Sequence, residues 1–268
     1  KCWDKDPELN IGKETPEGGE YAIKSLRAAT DDLASSKIDV LVTAPINKHN
    51  VQSSEFKFPG HTEFLAKLSN VDKALMLMVA DNLKVAVVSG HIPLKEVAKT
   101  LTKEKIVEAI TQLNESLIKD FGISRPKIAV MGLNPHAGDN GVIGDEEKEI
   151  IIPAIAEAKG KGILAFGPYS ADGFFGSSTY THYDGILAMY HDQGLVPFKS
   201  LSFGNGVNYT AGLPIVRTSP DHGTGFDIAG KNEASESSFR NALYLAMDIY
   251  RNRNEHKEMT ADPLQRQK

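Results

Sequence analysis

Short apolar runs, rich in β-branched residues, alternate along the chain with longer stretches in which apolar positions recur every three or four residues. Runs of the first kind predict strands and those of the second amphipathic helices, and their alternation is the pattern of βα units around a mostly parallel sheet. The predicted strands are Ile38 to Thr43, Ala74 to Ala80, Val85 to Ser89, Lys127 to Leu133, Ile163 to Phe166, Gly185 to Tyr190 and Pro214 to Arg217. Helical spacing marks Gly19 to Ser35, Lys95 to Leu101, Lys103 to Lys119, Glu146 to Lys159 and Ser237 to Tyr250. The fold class expected is α/β, doubly wound with mostly parallel sheets. No internal repeat or low-complexity linker interrupts the chain, and the polar stretch from Arg253 to Lys268 is expected to be a frayed tail.

Composition then narrows the class. A chain of 268 residues, 41% hydrophobic and 24% charged, suits one large or two intimately packed α/β domains. The net charge of −5 arises from 35 acidic and 30 basic residues interspersed along the chain, with no basic stripe to neutralise a nucleic acid backbone. The single cysteine, Cys2, excludes an intrachain disulfide and any Cys-rich zinc module, and fits a reducing compartment. No apolar run approaches the roughly 20 residues that span a bilayer. The opening Lys1-Cys2-Trp3-Asp4 has no signal-peptide core. A cytoplasmic protein without membrane or nucleic acid partners is expected, and a start on Lys1 rather than Met suggests an earlier segment.

Ligands of open α/β sheets collect beyond the carboxyl ends of the strands, so chemistry is sought in the residues that follow each strand. Ser89 is followed by Gly90-His91-Ile92-Pro93, Leu133 by Asn134-Pro135-His136-Ala137-Gly138, and Tyr190 by His191-Asp192-Gln193-Gly194. One such histidine alone reads best as a partner of loop backbone. Three at equivalent positions point to a divalent ion held by three protein ligands, with a position open to water or substrate. His91, His136 and His191 are the predicted set; their intervals match no local zinc motif, so they can meet only through the fold or across a subunit boundary. Asp192 reads equally as a carboxylate orienting a ligand and as a loop cap.

A second constellation comprises His61 and Thr62 at a helix start, Lys199, Asn208 and Arg217. Helix N-termini, Lys and Arg are the usual partners of phosphate, so a phosphorylated substrate fits. Taken singly, Thr62 reads as well as a helix cap, and Lys199 and Arg217 as surface ion pairs. No Walker-type loop and no GxGxxG is present. The Gly-rich run from Asp221 to Lys231, with His222, Gly223 and Asp227, is the candidate cofactor loop, because its small residues permit close approach of a flat ring or a phosphate.

These motifs, with Val42-Thr43-Ala44-Pro45-Ile46-Asn47-Lys48, Gly60-His61-Thr62-Glu63-Phe64 and Ala188-Met189-Tyr190-His191-Asp192-Gln193-Gly194, resemble in order those of the 4-hydroxythreonine-4-phosphate dehydrogenase family of pyridoxal phosphate synthesis. The resemblance runs from about Gly19 to Tyr250. It implies a single family unit of two intimately packed α/β lobes, with an isocitrate/isopropylmalate dehydrogenase-like fold and the active site in the cleft. A divalent metal (zinc, alternatively magnesium, cobalt or manganese) is implied on His91, His136 and His191. Substrate contacts are implied at His61, Thr62, Lys199, Asn208 and Arg217. A homodimer is implied whose active site is shared across the interface, His191 being the ligand expected to serve the partner's site. The loop from Asp221 to Lys231 is similar to the cofactor loop of the isocitrate and isopropylmalate dehydrogenases, which implies NAD or NADP beside His222, Gly223 and Asp227. The family opens with a strand and a Gly-Pro-rich loop that nothing here matches, so the family's N-terminal segment is expected to be missing from this sequence.

The implied reaction is oxidation of a substrate hydroxyl with hydride transfer to NAD(P), then loss of carbon dioxide from the resulting β-keto acid, with a metal favouring both steps. 4-Phosphohydroxy-L-threonine would give 3-amino-2-oxopropyl phosphate. Asp172 and Lys199 are the two candidates for the base, and the sequence does not rank them. D-Threonate or D-erythronate 4-phosphate is the alternative substrate; a protein that binds metal or phosphate without turnover is the alternative of another class.

Overall fold

The elements follow the hydrophobic pattern, and a computed structural model describes them for Trp3 and residues 10–53, 56–58, 60–71 and 74–262. In chain order they begin with α1 (Pro16–Ala34), β1 (Val40–Val42), α2 (His61–Leu68), β2 (Leu75–Ala80) and β3 (Leu83–Ser89). Next come α3 (Leu94–Thr100), α4 (Lys103–Lys119), β4 (Lys127–Met131), α5 (Ile152–Gly160), β5 (Leu164–Tyr169) and α6 (Ala171–Phe175). The last are β6 (Gly185–Tyr190), α7 (His191–Ser202), β7 (Val207–Ala211), β8 (Val216–Pro220) and α8 (Ser237–Ala261). Two compact units result, one of Lys1–Ala74 with Gly204–Met247 and one of Leu75–Phe203 with Asp248–Lys268. Cys2 and residues 263–268 of the expected tail lie outside the described residues.

In the first unit, β8 pairs with β1 in parallel, Leu41 beside Arg217, and with β7 antiparallel, Tyr209 beside Thr218. Thr15 starts α1 by accepting the N–H of Gly18 at 3.1 Å, with Pro16 at the first helical position. Ile23, Leu26 and Leu33 then share one face and pack with Leu41, Phe56, Phe64, Leu65 and Leu213. Each such side chain, fully buried, contributes roughly 1.5–3 kcal/mol. The strand β7 is absent from the sequence expectation, because Val207-Asn208-Tyr209-Thr210 mixes polar and aromatic residues and its burial comes from pairing with β8.

In the second unit the strand order is β2-β3-β6-β4-β5. A tight turn at Asp81-Asn82, with Asp81 at φ +45°, joins β2 and β3 as an antiparallel hairpin. From β3 onward, β6, β4 and β5 run parallel. The α/β class expected is the one observed. α4 is capped by Thr102, which accepts the N–H of Lys105 at 3.3 Å, and it buries Ile106, Ile110, Leu113 and Leu117 at helical spacing.

Two expectations are corrected here. The residues after Tyr190 form α7 and not a loop; Gly194 and Pro197 are poor helix residues by propensity, and tertiary packing overrides them. A Cβ at Gly194 would lie 3.0 Å from Val85 Cγ1 and 3.1 Å from Ala188 Cβ, so glycine is what lets α7 lie down on β3 and β6. The polar stretch from Arg253 is helix as far as Ala261. Arg253 Nε donates to Asp120 Oδ1 at 2.7 Å and Asn252 Nδ2 to the Asp120 carbonyl at 2.7 Å, so a buried carboxylate anchors residues that looked like a solvated tail.

Candidate active site

Because β3, β4 and β6 are parallel, their carboxyl ends share one edge of the second unit, and each histidine leaves from it. His91 follows β3 in an exposed turn, and His191 is the first residue of α7. Their rings lie side by side, centroids 5.8 Å apart. Asp192 Oδ1 is 2.6 Å from His191 Nδ1. With that nitrogen protonated towards the carboxylate, Nε2 keeps the lone pair a metal needs, which is the orienting role open to Asp192.

His136 stands apart from this pair. It begins a run of five residues, His136 to Asn140, all left-handed with φ between +40° and +79°. Four of the five carry a Cβ, and left-handed backbone costs such residues roughly 1–2 kcal/mol each, a strain of the kind that clusters at functional sites. Among the described residues no group of three or more His, Cys, Asp or Glu side chains is placed to hold a metal ion. The donor chemistry of the three imidazoles suits a divalent cation, and the structure brings two of them together.

Two cavities open at this edge. One, of about 520 Å³, is lined by Gly90, His91, Leu94, Val97 and His191 among others. The other, of about 540 Å³, is lined by Asn134, His136, Ser170, Asp172 and Gln193, and Tyr190 and Asp192 line both. Asp172 is exposed at the start of α6. The Ser170 hydroxyl, the Gly173 N–H and the charge of His136 hold its carboxyl below the usual range, so it is ionised at neutral pH. Lys199 is an exposed residue of α7.

The first unit holds the other constellation. Arg217 is 3% exposed. Its Nε and Nη2 donate to Thr43 Oγ1 at 3.0 and 2.6 Å and its Nη1 to Thr210 Oγ1 at 3.3 Å. Hydroxyls hold the guanidinium, and among the described residues no carboxylate lies in ion-pair distance of it. The expectation of a surface ion pair is therefore corrected for Arg217. Burial pulls its pKa down to about 10, opposed by the charge of Glu63, and it stays protonated at neutral pH. Burial, and then the charge of Arg217, pushes His61 down to about 3, so its ring is neutral.

Asn208 lies on β7, two residues before Thr210, and its buried Oδ1 has no hydrogen-bond partner among the described residues. Thr62 is inside α2, whose cap is Gly60 without a side-chain bond, so the capping role considered for Thr62 is not the one observed. The signal that could have revealed Thr43 and Thr210 is their hydroxyl chemistry on strands flanking Arg217, visible only once β7 is known.

The Gly-rich loop also belongs to the first unit. It begins where Asp221 N donates to Ser238 Oγ at 3.0 Å, and Ser238 Oγ in turn donates to the Gly206 carbonyl at 2.6 Å. His222, Gly223 and Asp227 are exposed, and a Cβ at Gly223 would meet nothing within 4 Å, so space for a flat group exists beside the loop.

Residues 1–246 match the family described as pyridoxal phosphate biosynthetic protein PdxA. The chain belongs to this family. A 4-hydroxythreonine-4-phosphate dehydrogenase of Bacteroides thetaiotaomicron is 55% identical over 267 residues, 99% of this chain and 73% of that protein. A D-threonate 4-phosphate dehydrogenase of Pectobacterium atrosepticum is 42% identical over 91% of this chain and 75% of its own length. The crystal structure of 4-hydroxythreonine-4-phosphate dehydrogenase from Klebsiella pneumoniae superimposes with a TM-score of 0.80 at 40% identity, covering 90% of this chain and 73% of that one. Isocitrate dehydrogenase from Methylococcus capsulatus, at 11% identity and a TM-score of 0.50, covers 92% of this chain and 85% of that one and shares the fold alone. The family is thus one of dehydrogenases, and among the described residues no helix is long and apolar enough to cross a membrane.

Proposed function

We propose that this PdxA family member oxidises and decarboxylates 4-phosphohydroxy-L-threonine to 3-amino-2-oxopropyl phosphate with NAD or NADP and a divalent metal, in pyridoxal phosphate synthesis. The observation that carries the reading is Arg217. A buried guanidinium held by two threonine hydroxyls, with no carboxylate of the described residues in ion-pair distance, is a charge whose burial is costly unless a ligand completes it. A phosphate or carboxylate of the substrate supplies that anion. Neutral His61 is suited to a hydrogen bond rather than to charge pairing, and Asn208 Oδ1 awaits a donor such as a substrate hydroxyl or ammonium. The family motifs that contain Thr62 and Lys199 support a contact of both with the same substrate.

His91, His136 and His191 would hold the metal, zinc being the first candidate and magnesium, cobalt or manganese the others, and His222, Gly223 and Asp227 would contact the nucleotide. When bound, these groups supply electrostatic stabilisation of the reacting oxygen and acceptance of hydride. Asp172, ionised and lining the cavity of His136, is the favoured proton acceptor, with Lys199 the alternative. A homodimer sharing each active site between subunits would complete the metal ligation that one chain leaves at two adjacent imidazoles. The protein is placed in the cytoplasm on this reading.

The Pectobacterium relative favours a second substrate, D-threonate or D-erythronate 4-phosphate, which carries a hydroxyl where phosphohydroxythreonine has its ammonium. NADH formation is measured with all three phosphates, with and without a chelator, for wild type and Arg217→Met. Chelator-sensitive turnover of phosphohydroxythreonine, with KM raised at least about tenfold in the variant because a charged hydrogen bond is worth roughly 1.5–3 kcal/mol, supports the first reading. Preference for a sugar-acid phosphate selects the second, and no turnover of any would overturn both.

A further inference from the structure

The left-handed turn that carries His136 has no sheet partner to hold it. β4 ends at Met131, and the N–H groups of Leu133 and Asn134 point beyond the ladder. Both are taken by one carboxylate: Leu133 N donates to Glu147 Oε1 at 2.7 Å and Asn134 N to the same oxygen at 2.8 Å. Asn134 Nδ2 donates to Glu147 Oε2 at 2.9 Å and to Glu146 Oε2 at 2.7 Å. Glu147 is 2% exposed. It opens a π-helical turn, Glu147–Ile151, where a helix running on from Glu146 was expected. Such turns re-aim a side chain relative to the regular helix and recur at functional sites.

The carboxylate lies directly beneath the turn. A Cβ at Gly138 would come within 2.5 Å of Glu147 Oε2, and one at Gly132 within 3.1 Å of Oε1 and 2.9 Å of Ala137 Cα. Gly138 is itself left-handed, with φ +79°, so glycine is required there by both conformation and space. Lys148 Nζ donates to the Asn140 carbonyl at the far end of the turn. From the other side, Gln193 Nε2 donates to the Gly132 carbonyl at 2.6 Å while its Oε1 accepts Met189 N at 2.7 Å. One continuous set of bonds thus joins the turn of His136 to the helix that begins at His191.

We propose that Glu147 is a positioning residue for His136, its carboxylate fixing the left-handed turn against Gln193 so that the His136 imidazole is held ready for the metal. Glu147 is buried, and both of its carboxylate oxygens are taken up by Leu133 and Asn134. Its effect is preorganisation, since a ligand on a loose turn must be ordered at the moment of binding. The proposal rests on the metal role of His136 for its consequence and on the hydrogen bonds alone for its mechanism.

The test uses wild type, Glu147→Gln and Asp120→Asn, the last being a destabilised control whose buried carboxylate lies on another part of the same unit. An amide at 147 keeps the shape but places N–H groups against N–H groups. Amide hydrogen exchange of metal-free protein is measured first, and faster exchange across 133–141 is expected in Glu147→Gln alone. Cobalt(II) binding is then followed by its visible absorption, with affinity expected to fall roughly 10–100-fold in Glu147→Gln and to stay near wild type in Asp120→Asn. Unchanged exchange across the turn in Glu147→Gln overturns the proposal. Equal cobalt losses in both variants also overturn it, because general destabilisation would then account for the effect. If wild type binds no cobalt, the metal reading fails, and the exchange measurement still decides whether Glu147 holds the turn.

Discussion

At the scale of single residues, the second constellation is governed by burial. His61 and Arg217 were legible as candidates for substrate binding from the motif that carries them and from their chemistry. That Arg217 is closed off from solvent and held by Thr43 and Thr210 was not, because Thr43 lies 174 residues away and Thr210, only seven residues away, reaches it through the pairing of β7 with β8. Burial also sets a pH signature. The folded-state pKa of His61, about 3, lies below its ordinary 6.5, so the folded protein binds fewer protons than the unfolded chain between those values. Its contribution is intact above pH 6.5 and is lost as pH falls through the window towards 3, by at most about 1.4 kcal/mol per pH unit and a few kcal/mol in all. Chemical denaturation of wild type and His61→Gln from pH 7 to pH 4 checks this, and the substitution is expected to flatten the decline. An equally steep decline in the variant would assign it to other groups.

At the scale of elements, most helices and strands were legible because their apolar spacing matches what they bury. α4 has the bounds the spacing predicts, and β6 likewise. The misses have one cause in common. β7, α7 and the end of α8 owe their conformation to a neighbour: β8 for the first, the close approach at Gly194 for the second, and Asp120 for the third. The grip on Asp120 has a measurable consequence. The ion-pairing side chains of Arg253 and Asp120 are 10% and 3% exposed, so removing one partner leaves a buried charge unmatched. Arg253→Met is expected to lower unfolding free energy by roughly 3–5 kcal/mol, against under about 1 kcal/mol for Glu20→Gln in the exposed Lys24–Glu20 pair. Urea titrations of the two variants make the comparison, and a loss as small as that of the surface pair would show that α8 is held by its apolar contacts instead.

At the scale of the whole molecule, the question is whether one chain suffices for a site. His91 and His191 are adjacent and His136 is not part of a metal-binding group among the described residues, as expected if the proposed homodimer shares its sites. Subunit mixing decides it. His91→Ala and His136→Ala proteins are each expected to be inactive. If each site draws those two ligands from different subunits, mixed dimers contain one intact site, and random mixing restores roughly a quarter of wild-type activity by the symmetry of a two-fold assembly. If both ligands serve the same chain's site, no mixture recovers. The sequence by itself determined the α/β class, the family, and the histidines that leave the strand ends, since each of these is written in local spacing and short motifs. Tertiary structure alone decided that Arg217 is buried with no carboxylate of the described residues in ion-pair distance and that α7 is a helix. It also decided that His136 rides a left-handed turn over Glu147, because burial, close approach and hydrogen bonds between distant residues exist only when the chain is folded.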